Sequence, residues 1–238
     1  MANITYAILT RQAGLRQEMQ VVANNLANIS TRGFQREGVV FSEFVAATEN
    51  ADNSLSMATA KGRVIDRTQG QLAPTGGQFD FAIEGEGYFL IDTPQGQRLS
   101  RAGNFHPGPT GEMVNPDGYL LLDAGGAPVF VPPDTVTLKL GRDGTLSADE
   151  TPLTQIGLFV PEDMKDLKRD AGLLYEVEGE IIPAEDAVLV QGFLENSNVD
   201  PILEVARMIE VQRAYEQGRN LMMADDERLK STIETLGS

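Results

Sequence analysis

The sequence predicts an α+β fold, with N- and C-terminal helices paired as a coiled-coil layer and an all-β, barrel- or sandwich-like central domain. Three observations carry this prediction. Both ends repeat apolar residues every seven positions; the middle alternates apolar and polar residues with period two between glycine and proline punctuation; and nearly all the net charge lies in that middle. At the front, Ile8, Leu15, Val22 and Ile29 fall seven apart, with Met19 and Leu26 interleaved. At the back, Met208, Tyr215, Met222, Leu229 and Leu236 do the same. A seam of this period belongs to helices that pack side by side along their length. These eleven residues are the candidate assembly interface, facing each other and other copies of the chain. Binding or assembly therefore outranks chemistry.

Residues 3 to about 28 read as the first helix, with no proline and one glycine, Gly14. Asn24, Asn25 and Asn28 are weak helix formers near its end, suited either to fraying and capping or to amide hydrogen bonds across to a neighbouring helix. Ser30-Thr-Arg-Gly33 reads as the stop. Residues 35–78 lack a clear period and read as an extended connector with a few short strands; Glu49-Asn-Ala-Asp-Asn-Ser54 is polar and turn-like.

From residue 79 to about 193 the pattern is β. Phe79, Phe81 and Ile83 alternate with other residues, as do Val136, Leu138 and Leu140, and Ile156, Leu158 and Val160. Asp117-Gly118 and Asp143-Gly144 suit tight hairpins. The last helix has a legible start: Asp200 can cap, Pro201 fits the first helical position, and Glu204 lies in the first turn. Glu204/Arg207, Glu210/Arg213 and Glu216/Arg219 are spaced as i,i+3 pairs. The domain boundaries that follow are 1–34 with 194–238 for the helical part, 35–78 for the connector and 79–193 for the β domain.

The 238 residues carry a formal charge of −16, which argues against nucleic acid because phosphate binding needs clustered cations. Residues 1–40 hold four arginines against two glutamates, and residues 200–238 hold five basic and eight acidic side chains, so the middle carries the rest. An acidic, solvated body between nearly neutral helical ends fits ends that are packed; acidic surfaces that merely aid solubility fit the middle equally well. With no cysteine and a single histidine, His106, thiolate chemistry, disulfides and ordinary zinc sites are out, and no cofactor is expected. No signal peptide is visible, because the run Tyr6-Ala-Ile-Leu9 ends at Arg11. No stretch approaches the roughly 20 apolar residues of a membrane span.

Catalytic motifs are weak. Adjacent carboxylates such as Glu84 and Glu86, Glu162 and Asp163, or Asp225 and Asp226 lack the separate elements facing one cleft that a glycosidase needs. Gly85-Glu-Gly87 misses the third glycine of a dinucleotide fingerprint. Asn196-Ser-Asn-Val-Asp200 has oxygens at alternate positions but not the register of a calcium loop, so helix capping explains it better. His106 beside Pro107 has no partner in a recognisable motif, and Met222-Met223 suits adaptable packing. No catalytic, cofactor-binding or metal residue is assigned.

Several motifs resemble the bacterial flagellar basal-body rod family. Val22-Ala-Asn-Asn-Leu-Ala-Asn28 followed by Thr31-Arg-Gly-Phe34 is similar to its N-terminal motif. Gly192-Phe-Leu-Glu-Asn-Ser-Asn-Val199, with Met208-Ile-Glu-Val-Gln-Arg-Ala-Tyr-Glu216, is similar to its C-terminal motif. Phe81-Ala-Ile-Glu-Gly-Glu-Gly-Tyr-Phe-Leu90, Ser100-Arg-Ala-Gly-Asn-Phe105 and Asn115-Pro-Asp-Gly-Tyr119 are similar to the β domain of rod and hook proteins. Asn24, Asn25, Asn28, Gly33, Phe34, Ser197, Asn198 and Val199 are the family-motif residues.

The resemblance implies a non-enzymatic structural subunit of an axial tube in the periplasm, transmitting torque from motor to hook. It further implies export unfolded through the flagellar type III apparatus without signal cleavage, and partners among copies of itself and neighbouring rod proteins. Leu9-Thr-Arg-Gln12 with Leu15-Arg16 resembles the proximal-rod branch; Tyr215 and Gln212-Arg-Ala214 also resemble the distal-rod branch, so a distal rod or hook-type role is the alternative within the family. From another class, a periplasmic peptidoglycan hydrolase would account for the surplus of acids, and a β-rich adhesin with helical stalks is a third reading.

Overall fold

Two long helices form at the termini, where helix formers run almost unbroken by glycine or proline. The structure is a computed structural model that describes residues 2–47 and 54–236, with backbone only at 2–7, 41–47, 54–61, 229, 233 and 236. Helix α1 spans Ala2–Ala27 and α2 spans Pro201–Leu236. They touch each other, and a central antiparallel β region lies between them in sequence, as the sequence predicts. The polar Glu49–Ser54 stretch falls, but for Ser54, outside the described residues.

The chain divides into two compact units. One holds residues 1–29, 36–66 and 199–238; the other holds 30–35 and 67–198. In the first, strands β1 (Glu37–Ala47) and β2 (Ser54–Ile65) form one long antiparallel hairpin that packs against α1. This hairpin lies where the sequence suggests a connector with a few short strands. The register shifts between Val40 and Phe41, an irregularity in the ladder.

In the second unit, β3 (Leu72–Pro74) pairs with Phe193–Glu195, and β4 (Phe81–Glu84) pairs with Val188–Gln191. Strands β5 (Tyr88–Thr93) and β6 (Gly96–Ser100) form a hairpin within a nine-stranded antiparallel sheet. Phe81, Ile83, Phe89, Ile91, Phe105 and Leu121 belong to the core of this unit. Tyr88, Phe89, Leu90 and Ile91 are buried in succession, the mark of a strand covered on both faces rather than one.

Both expected hairpin turns form. Gly118 and Gly144 take φ of +83° and +87°, values that a side chain would strain. Two details differ from the alternation pattern. Val136 is 82% exposed and lies before the strand Leu138–Leu140, because the Val136 and Thr137 amides donate to the Asp149 carboxylate instead of entering a ladder. Ile156, though buried, sits between the strands Thr151–Gln155 and Leu158–Pro161, not within one.

Candidate assembly interface

The two helices that carry the seven-residue repeats touch in the first unit. Leu15 and Val22 of α1 are buried, and Ile8, Met19, Leu26 and Ile29 are half-buried. On α2, Met208, Tyr215 and Met222 are half-buried, while the side chains of Leu229 and Leu236 lie outside the described residues. Gln12 pairs with Tyr215, Glu18 with Arg207 and Asn25 with Glu204, so the helices run antiparallel. Each fully buried aliphatic side chain in such a seam is worth about 1.5–3 kcal/mol.

A second register of α2, four residues ahead of the Met208 series, faces the same way. Glu204 and Val211 are buried, and Gly218 lies beside Gln12, whose Nε2 donates to the Tyr215 carbonyl at 2.9 Å. A Cβ on Gly218 would stand 2.0 Å from that nitrogen, so glycine sets the close approach here. This half of the seam escapes a search for apolar repeats because its members are an acid, a valine and a glycine.

Glu204 is fully buried, and its partners explain how a charge is tolerated there. It accepts from the Arg36 guanidinium and, at 3.3 Å, from Asn25 Nδ2. Asn25, equally buried, donates to the Glu37 carbonyl at 2.8 Å and accepts from the Glu37 amide at 3.0 Å. One side-chain amide thus imitates a strand neighbour for β1 and ties α1, β1 and α2 together. Asn28 instead bonds back to the Asn24 carbonyl at 2.8 Å and closes the helix end locally, so the two roles open to these asparagines are divided among them.

None of the three i,i+3 pairs expected on α2 forms among the described residues; for Glu204 and Arg207 tertiary partners compete. Glu204 turns inward, and Arg207 bonds Glu18 of α1 at 2.7 Å and Glu210 at 2.8 Å. The N-terminus of α2 follows its sequence signal: Asp200 Oδ1 accepts from the Ile202 amide at 2.8 Å and Pro201 is the first helical residue. Replacing Asn25 by alanine strands the Glu37 amide and one Glu204 oxygen. We expect a loss of about 1–3 kcal/mol, read as a lower urea midpoint, with Asn25→Asp failing to restore it because a second carboxylate would face Glu204.

All the remaining motif residues but Val199 belong to the β unit. Gly33 has φ of +71°, donates to the Glu195 carbonyl at 2.8 Å, and leaves no room for a Cβ, which would lie 2.5 Å from the Ala102 amide nitrogen. Phe34 is buried beneath the Arg169 guanidinium, 4.4 Å from the ring centre. Gln35 accepts from the Tyr88 hydroxyl at 3.1 Å. Asn198 donates to the Phe34 and Thr68 carbonyls, Ser197 is half-buried, and Val199, in the helical unit, is buried.

Beneath this segment lies a buried ion pair that the sequence does not single out. Arg101, 3% exposed, bonds Glu195 at 2.8 Å and donates to the Gly85 and Gly87 carbonyls at 2.9 and 2.7 Å. Glu195 also accepts from the Gly70 amide at 3.0 Å. Burial pushes the Glu195 carboxyl above the ordinary range, against the opposing pull of Arg101 and Gly70; burial likewise raises the Tyr88 hydroxyl. Gly85-Glu-Gly87 is therefore a turn whose carbonyls are held by an arginine.

Among the described residues, no group of three or more His, Cys, Asp or Glu is placed to hold a metal, and no helix is long and apolar enough to cross a membrane. What the molecule presents is a packed helical unit and a β unit.

Three family models match the chain in order. Residues 7–35 match the flagella basal body rod protein model, 82–148 the flagellar hook protein FlgE/F/G D1 domain, and 190–235 the flagellar basal body rod FlgEFG protein C-terminal model. The chain is 36% identical to the flagellar basal-body rod protein FlgF of Mesorhizobium japonicum and 36% identical to that of Caulobacter vibrioides, each over all of this chain and 99% of the relative. It is 31% identical to the flagellar basal-body rod protein FlgG of Bacillus subtilis, over 98% of both chains.

Proposed function

The chain belongs to the flagellar basal-body rod protein family, and from that premise we propose that it is a subunit of the proximal rod, assembling through its terminal helices into the shaft that carries torque. It is a non-enzymatic structural protein of the rod. The observation that carries the proposal is the antiparallel pair of α1 and α2, buried on one side through Leu15, Val22 and Val211 while apolar residues remain exposed on the other. The higher identity to FlgF than to the FlgG of Bacillus subtilis supports a proximal position.

Its partners are proposed to be copies of itself and adjacent rod proteins, reached in the periplasm through the flagellar type III export apparatus. The eleven seam residues and the Asn-Asn-Leu-Ala-Asn and Ser-Asn-Val motifs are the proposed assembly determinants, and 1–34 with 194–238 the proposed assembly domain.

Deletion of residues 205–238 is expected to abolish both motility and recovery of the protein in isolated basal bodies. Full motility with the truncated chain in place would overturn the reading. Digestion of purified cell wall by the protein would favour a hydrolase instead.

A further inference from the structure

The β unit holds a pocket of about 270 Å³ that no family-motif residue lines. Buried Ile156, Leu158 and Leu189 give it an apolar floor, and half-buried Phe159 and Ala187 add to its apolar lining. The turn at 142–144, which also lines it, is pinned in place. The Leu189 amide donates to the Arg142 carbonyl at 3.1 Å, and Gln155 Nε2 donates to the Asp143 carbonyl at 2.8 Å. The pocket is therefore formed before anything enters it, and its size suits one large side chain rather than a helix.

Charge defines what must flank that side chain. Among the described residues, the one cation on the lining is Arg142, and it is already bonded to Glu84 at 3.0 Å. Asp143, also on the lining, accepts from Thr145 and from no cation. Glu185 and Asp186 lie between the lining residues Ala184 and Ala187; both are exposed, and neither has an ion-pair partner among the described residues. The unit as a whole carries 21 acidic against nine basic side chains. An apolar floor beside unanswered carboxylates fits a segment that is apolar at one position and basic on either side of it. A second copy would bring a β unit of the same sign against this surface, which like-charge repulsion disfavours.

We propose that this pocket docks a short basic segment of another protein. One large apolar side chain of that segment covers Ile156 and Leu189, and the lysines or arginines beside it meet Asp143, Glu185 and Asp186. The apolar insertion supplies most of the affinity, because exposed ion pairs add little in salt. The carboxylates supply the choice of partner, since an acidic segment of the same shape is repelled. The contact lies on the β unit and goes beyond assembly through the terminal helices.

Full-length protein is panned against a phage-displayed library of random peptides, with the Ala124→Phe variant used for counter-selection. Ala124 is exposed on the lining, so a phenylalanine there obstructs the pocket without entering the core. Enriched peptides are expected to place Lys or Arg beside a Leu, Met or Phe. A synthetic copy of the most enriched peptide, followed by fluorescence anisotropy at physiological salt, should bind Ala124→Phe at least about tenfold more weakly than the native chain. The double variant Glu185→Lys with Asp186→Lys should also bind it more weakly, and both variants should keep the native urea midpoint. Absence of enrichment, enriched peptides without basic residues, or binding unchanged in Ala124→Phe each overturns the inference. Self-association of the free chain that Ala124→Phe abolishes would give the pocket to a second copy and overturn it as well. These outcomes leave the rod reading untouched, because that reading rests on the helical unit.

Discussion

Replacing Arg101 by leucine is expected to cost the β unit about 3–5 kcal/mol, the penalty for leaving one partner of a buried ion pair uncompensated. The loss has two sources. Glu195, 3% exposed, retains only the Gly70 amide as a donor, and the Gly85 and Gly87 carbonyls lose theirs. Thermal or urea unfolding of the full chain measures it.

The deficit should depend on pH in a defined direction. Without Arg101, burial raises the Glu195 carboxyl further, so the folded variant binds a proton that the unfolded chain has released. Stability of the variant then falls as pH rises from the ordinary carboxylate range through the raised value, and the gap to the parent is smallest in acid. A gap that widens on acidification would contradict this account. Adding Glu195→Leu removes the stranded charge and should recover part of the loss, though not the carbonyl bonds to Gly85 and Gly87.

The second large effect is expected at Val211, which is buried in the seam between the helices. Val211→Glu puts a carboxylate in the same seam as the buried Glu18 and Glu204, whose cations are already engaged by Arg207 and Arg36. Buried in the seam, the new charge must either stay hydrated or separate the helices. Separated helices are marginal in water, so α1 and α2 should lose amide-exchange protection while β4, β5 and β6 keep theirs. Val211→Ile, which keeps the seam apolar, should leave both patterns nearly unchanged.

How far the sequence discloses this molecule depends on the kind of interaction involved. Helix limits at Pro201 and near Ala27, and turns at Gly118 and Gly144, follow local rules about caps, φ angles and proline, and these are readable residue by residue. The contact between the two helices is readable from their apolar repeats. Its polar half is not: Glu18, Asn25 and Glu204 look like surface residues until Arg207, Glu37 and Arg36 are brought to them from distant segments. The pairing of Arg101 with Glu195 across 94 positions is likewise a product of the fold. The long hairpin of Glu37–Ala47 and Ser54–Ile65 is set by pairing between segments and carries a register shift, neither of which a local pattern displays.

The position of Gly33-Phe34-Gln35 shows the same limit. Read alone, the glycine is a helix stop, whereas the fold uses it to bring the backbone against Ala102 and to seat Phe34 under Arg169. Flanking residues 1–29 and 36–66 belong to the helical unit, while this segment belongs to the β unit. A motif that reads as part of a helix end thus packs within the β unit.

The central claim is that the paired terminal helices carry assembly into the rod. The most direct measurement is the amount of protein recovered in basal bodies isolated from cells expressing the native chain, Val211→Glu or Val211→Ile at matched levels. The account predicts native recovery for Val211→Ile and none for Val211→Glu, with loss of motility in the latter. Native recovery of Val211→Glu, with its helices shown to be unprotected, would contradict it.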